Sequence, residues 1–261
     1  MVMVNAFSTH RLKIVTLAVL AVILVAFFTR EFLVDVKYNY DNMTNRQYVY
    51  GDLSGPRVGD PAIDFEAHDL EGNVVRLSDY LGKIVVLTTG SGTCPMYVGV
   101  LGGMNSLADN MRDKVEFLVL YVREAHPGDN FPPHKLFSQK VEQAKITTRE
   151  ENENRLVVVD GLDGEIHQSY GSWPNMAYLV DQNGVIRLRQ KWTDPAALEI
   201  ALNMLLLDPN ADLSGVKSVE MIPDPELLTK VFRRSGDGGW SDFIMSFPGM
   251  IFHTVDALLS E

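Results

Sequence analysis

Cys94 is the only cysteine in 261 residues. One thiol cannot close an internal disulfide, form a Cys-x-x-Cys couple or build a cysteine-rich metal site, so disulfide scaffolds, zinc ribbons and iron–sulfur proteins are excluded. What a lone thiol can do is attack as a thiolate. Cys94 lies in Thr88-Thr89-Gly90-Ser91-Gly92-Thr93-Cys94-Pro95, a run of small residues leaving a strand. Pro95 suits a first helical position, which puts Cys94 at the N-cap. There the helix dipole and free N–H groups favour an anion, so the position predicts a lowered thiol pKa. The alternative, a buried and inert cysteine, fits poorly with a Gly/Ser/Thr-rich turn. A nucleophile needs proton-handling partners. The apolar stretch Phe117 to Val122 is followed by Arg123-Glu124-Ala125-His126-Pro127, which places Glu124 and His126 just past a strand end. Cys94, His126 and Glu124 are therefore the candidate catalytic residues. Cys94, His126 and His134 lack compact ligand spacing, so no metal site is predicted.

These residues need strands ending at one edge of a sheet. Phe65 to Leu77 around Glu71-Gly72-Asn73 reads as a hairpin. Leu77 to Lys83 reads as a helical turn ending at Gly82. Ile84 to Leu87 is a continuous apolar run, as a doubly covered parallel strand requires. The spacing predicts a helix from Met96 to about Met111 and a strand over Val115 to Val122. A helix over Pro133 to Ala144 and strands over Leu156 to Val159, Ala177 to Val180 and Val185 to Arg189 follow. Pro195 to Leu207 then reads as a closing helix. Strands separated by helices imply an α/β fold with a central sheet flanked by helices. Sites in such sheets lie at the carboxyl ends of the strands, where Cys94, Glu124 and His126 fall.

This arrangement resembles the thioredoxin-like fold in its redoxin (peroxiredoxin-type) form, with a mixed central sheet. "GDPAIDFEAHDLEGNVVRLSDYLGKIVVL" is similar to the redoxin entry hairpin and the strand leading to the active cysteine. Trp173-Pro174 stands where such folds keep a cis-proline beside that cysteine, and the resemblance implies a cis Pro174. "LTTGSGTCPMY" followed by "FLVLYVREAHPGDNF" resembles the iodothyronine deiodinase family. Gly90, Ser91, Thr93 and Pro95 match its first motif, with Cys94 at the selenocysteine position. Tyr121, Glu124, Ala125, His126, Pro127 and Asp129 match the second. The resemblance covers roughly residues 58–205. It implies that Thr93, Pro95, Tyr97, His134 and Pro174 line a substrate pocket, His134 being the counterpart of a family histidine. The implied reaction is reductive dehalogenation of a halogenated aromatic, or attack on another soft electrophile. No bound cofactor is implied; an external thiol such as glutathione or thioredoxin would act as reductant. The departures are Cys for selenocysteine, Thr88-Thr89 for Asn-Phe, and Met96-Tyr97 for Pro-Phe. Met176 stands where the family places an arginine, so the resemblance carries the class of chemistry but not thyroid hormone itself. Two other readings remain open. One is a one-Cys thiol peroxidase, although Thr93 immediately precedes Cys94 instead of standing three residues before it as in the peroxiredoxin pattern. The other is a non-enzymatic redoxin-fold protein that binds a partner through the same groove.

Outside the domain the sequence changes character. Ile14 to Phe28 is apolar, flanked by Arg11 and Lys13 before and Arg30 and Glu31 after. Extended over residues 12–32, it reads as a single-pass N-terminal anchor; a cleaved signal is disfavoured because no small-x-small site ends the run. Its orientation is undecided, and the Asn42-Met43-Thr44 sequon matters only for a lumenal placement. The organisation expected is an anchor over 1–34, a linker over 35–57, a catalytic domain over 58–207 and a helical C-terminal extension over 208–261. Glu226 to Arg234 reads as a short helix, and the Phe-, Ile-, Met- and Leu-rich stretch Trp240 to Leu259 reads as a strap over the domain, with homodimer contact or membrane docking as alternatives. Lysine plus arginine total 23 against 34 acidic residues, a net charge of -11. That balance repels phosphate backbones, so nucleic acid is not an expected partner.

Overall fold

The computed structural model describes residues 55–219 and 222–244. The expected anchor at 12–32, most of the 35–57 linker, the sequon and residues 245–261 lie outside the described residues. Among the described residues no helix is long and apolar enough to cross a membrane.

The chain opens with the hairpin β1 (Glu66–Asp69) and β2 (Val74–Arg76), which pair antiparallel. Asp69 Oδ1 accepts from the Glu71 and Asn73 amides across the turn. A 3-10 turn, Leu77–Tyr80, leads to β3 (Ile84–Gly90), buried along its whole length. Helix α1 (Pro95–Met111), β4 (Val115–Tyr121), α2 (Phe137–Glu151) and β5 (Leu156–Val159) complete two parallel crossovers. A short helix α3 (Glu165–Ser169), absent from the sequence reading, precedes β6 (Ala177–Val180) and β7 (Ile186–Gln190). Helices α4 (Pro195–Leu207) and α5 (Pro225–Ser235) follow, and residues 237–244 are again helical.

The seven strands form one mixed sheet in the order β2-β1-β5-β4-β3-β6-β7. Strand side chains alternate between faces. On one face Val86, Phe117, Leu179 and Leu188 pack against α1 and α4 through Met104, Leu107, Leu198 and Leu202. Farther along the same face, Val119, Tyr121, Val157 and Val159 meet Val98 and Leu101 of α1, Ala144 of α2 and Val231 of α5. The other face, with Leu87, Leu118, Leu120 and Val158, is closed by Phe65, Leu77, Tyr170 and Trp173. A thioredoxin-like α/β fold thus agrees with the expectation. The expected start of α2 at Pro133 moves to Phe137, because Pro132 and Pro133 hold the preceding segment extended or turning.

The register of β3 on β4 sets the site. Gly90 pairs with Tyr121, so both strands end level at their carboxyl edge. Cys94 lies four residues beyond one end, and Glu124 three beyond the other.

Candidate active site

Three helices start with the same device, a cap residue followed by proline. At α4, Asp194 caps with its carboxylate, accepting from the Ala196 and Ala197 amides. At α5, Asp224 accepts from Leu227. At α1 the cap is Cys94, extended at φ -95°, with Pro95 at the first helical position. A thiol thus occupies a place that the chain elsewhere gives to a carboxylate, where two backbone N–H groups stabilise an anion. In the described state the sulfur makes no capping hydrogen bond.

The loops after β3 and β4 are stitched together beside this cap. Ser91 Oγ accepts from the Ala125 amide at 3.2 Å, and Thr93 Oγ1 accepts from the His126 amide at 3.1 Å. Glu124 gathers the rest. Its Oε2 accepts from Thr93 N at 2.9 Å and from Thr93 Oγ1 at 2.7 Å, and its Oε1 takes a short hydrogen bond from the Tyr121 hydroxyl. His134 Nε2 lies 3.6 Å from Glu124 Oε1 and 2.6 Å from Gln143 Oε1. Burial works to raise the Glu124 pKa, but His134, Tyr121 and Thr93 together hold it below the ordinary value of 4.5. Glu124 is accordingly a carboxylate at neutral pH, able to accept a proton but not to supply one. The tight fit explains Gly92: a Cβ there would sit 2.3 Å from Thr147 Oγ1.

Cys94 departs from expectation. It is 2% exposed, and burial pushes its thiol up to about 12; the Tyr97 and Met96 amides pull the other way, while the Glu124 charge adds to the rise. The helix terminus does act as predicted. It offers roughly 0.3–2 kcal/mol, whereas full burial can shift a group by about 3–5 pK units, so desolvation wins.

His126 does not bond to Cys94 either. Its Nδ1 lies 2.8 Å from Asp242 Oδ2, a residue of the C-terminal extension. Phe232 and Phe243 stand edge-on to its ring, at 5.7 Å and 5.3 Å between centroids. The His126 carbonyl accepts from Ser235 Oγ at 2.5 Å. The extension is a strap across the site. Leu227 and Val231 of α5 pack into the cluster that holds Cys94. Arg234 pairs with Glu150 and Glu151 of α2 and donates to the Gly92 carbonyl at 3.0 Å.

The remaining candidates divide. Thr93 and His134 join the Glu124 network, and Pro95 opens α1. Tyr97 is buried against Gly90 with its hydroxyl donated to Glu153, itself paired with Arg155. That hydroxyl is committed to the core. Pro174 is buried near β3, but its peptide is trans, since no cis bond occurs among the described residues. The junction with β3 is made instead by Met176, whose N–H donates to Thr89 Oγ1, while Thr89 Oγ1 donates to the Trp173 carbonyl. A proline at the junction could not supply that N–H, and at Pro174, two residues upstream, the ordinary trans preference holds. Sequence reasoning missed Asp242. Its only signal was one acidic residue inside the apolar run Trp240-Ser241-Asp242-Phe243-Ile244.

Comparison with known proteins bears on the family and the fold. The AhpC/TSA family profile matches residues 58–189. The thyroxine 5-deiodinase of Gallus gallus is 28% identical over 141 residues, 49% of this chain and 54% of that protein. The type I iodothyronine deiodinase of Xenopus laevis is 27% identical over 139 residues, 49% of this chain and 55% of that protein. The chain thus spans about half the length of the curated relatives it matches. An uncharacterised conserved protein from Geobacillus kaustophilus shares the fold with a TM-score of 0.52 at 19% identity, covering 64% of this chain and 94% of that one. The stretch matched by the family profile contains Cys94, Glu124, His126 and His134 but ends before Asp242. This chain belongs to the AhpC/TSA family and is a redoxin-fold protein similar to the iodothyronine deiodinases.

Proposed function

We propose that this protein is a thiol-dependent oxidoreductase that removes a halogen from an aromatic substrate, with Cys94 as nucleophile. The observation that carries the reading is the N-cap position of Cys94 beside the ionised Glu124–Thr93–Tyr121–His134 group, at the carboxyl edge of the sheet. The Cys94 thiolate takes the iodine from carbon. The C–I electron pair stays on carbon, which accepts a proton through His126. An external thiol then attacks the sulfenyl iodide, releasing iodide and leaving a mixed disulfide at Cys94. A second thiol resolves it. The sum is Ar–I plus two RSH giving Ar–H, HI and RS–SR. The proton lost by Cys94 is the one His126 carries to carbon, while ionised Glu124 holds Thr93 in place beside the nucleophile. The similarity to deiodinases supports this class of substrate. Met176 in place of the family's arginine argues for a smaller or differently charged iodoaromatic. The apolar run at 12–32 supports tethering to a membrane.

The intermediate is testable. With an iodophenol and limiting glutathione, intact-mass measurement should show one glutathione on Cys94, absent without the iodophenol. Modification that appears equally without halogenated substrate contradicts the mechanism. Adduct formation driven by peroxide and not by the iodophenol would favour the thiol-peroxidase reading.

A further inference from the structure

We infer that Asp242 is a positioning residue for His126, so that the C-terminal strap completes the active site; the catalytic part of this inference rests on the reading above. Asp242 is fully buried, 116 positions from His126 in sequence. Its Oδ2 meets the His126 Nδ1, and its Oδ1 has no hydrogen-bond partner among the described residues. The imidazole is therefore the principal partner of this carboxylate. The pair sits against Phe232 and Phe243.

Taken only as a clasp for the strap, this would be a costly choice. Apolar packing holds a segment at least as well as a buried ion pair of the same volume. The strap also has other anchors: Arg234 on Glu150 and Glu151, Lys230 on Glu151, and Ser235 on the His126 carbonyl. What a carboxylate on Nδ1 adds is direction. It keeps the proton on Nδ1, fixes the ring plane, leaves Nε2 as the atom that exchanges protons, and stabilises the imidazolium when Nε2 is protonated. His126 is meanwhile fixed from its backbone side by Thr93 Oγ1, one residue before Cys94. The ring is thus held from the nucleophile's loop and from the strap at once.

The test uses the full chain with selectively ¹⁵N-labelled histidine. In the wild type, neutral His126 should be the Nδ1–H tautomer; an Nε2–H tautomer, or an even mixture, overturns the inference whatever the reaction is. Asp242→Asn keeps the size and the contact but can donate to Nδ1. It should move His126 toward the Nε2–H form and lower kcat for thiol-dependent iodide release at least about a hundredfold, with KM within about threefold and Tm nearly unchanged. Lys230→Met, which loosens the strap away from His126, should leave kcat within about threefold. Equal losses in the two variants, or an undiminished kcat in Asp242→Asn, would make Asp242 a clasp only. If the wild type releases no iodide, the dehalogenase reading fails, while the tautomer measurement still decides the role of Asp242.

Discussion

At the residue scale, two buried groups near each other are pushed in opposite directions. Cys94 is held protonated by burial, with its thiol near 12, while Glu124 is held ionised by the donors around it. The consequence for Glu124 has a definite sign. Its folded pKa lies below the unfolded value, so its contribution to stability is complete above about pH 4.5 and is lost as pH falls through the folded pKa. Glu124→Gln should cost about 1–3 kcal/mol at pH 7 by denaturant titration, because it leaves the Thr93 and Tyr121 donors imperfectly paired. It should also flatten the acid limb of the stability curve. A variant with wild-type stability at pH 7 and the same acid limb would show that Glu124 is not the centre of the network. Much of this residue layer was legible in the sequence. The Cys-Pro cap and the Glu-x-His spacing at a strand end both correspond to real placements. The burial of Cys94 was not legible, because the cluster that holds it includes Leu227 and Val231, more than 130 positions away.

At the element scale, the strap joins α2, the loop after β4 and the start of α1. Gly128 lies against its backbone: a Cβ there would sit 2.5 Å from the Ser235 carbonyl oxygen and 2.8 Å from the Gly239 nitrogen. Backbone cannot yield as a side-chain tip can, so Gly128→Ala should displace residues 235–239. Two effects then separate. Cys94 becomes wetter, and its alkylation by iodoacetamide at pH 7.5 should speed up at least about tenfold as desolvation is relieved. Iodide release should slow, because Asp242 leaves His126. Alkylation that stays at the wild-type rate would show that the strap does not control access to the thiol. Faster alkylation with faster iodide release would show that it only obstructs. The elements themselves were well marked in the sequence: Pro195–Leu207 agrees at both ends, and Pro225–Ser235 within a residue. What could not be read locally was the docking of α5, which depends on pairings such as Arg234 with Glu150 and Glu151.

At the scale of the whole molecule, a family fold over residues 58–189 is combined with an extension that reaches back to its site. The order β2-β1-β5-β4-β3-β6-β7 brings the hairpin beside β5, a neighbour that no local pattern announces. The parallel β3–β4–β5 unit was readable from its apolar runs and its intervening helices. The net charge of -11 points away from nucleic acid as a partner. The claim on which the rest depends is that Cys94 performs a halogen-directed, thiol-dependent reduction. The most direct measurement is iodide release from a panel of iodinated phenols and tyrosines with a thiol reductant, comparing the full chain with Cys94→Ala. Release should require both thiol and Cys94, falling at least about a thousandfold in the variant. Release that persists in Cys94→Ala would contradict that claim, as would no release from folded wild-type protein whose Cys94 can be alkylated.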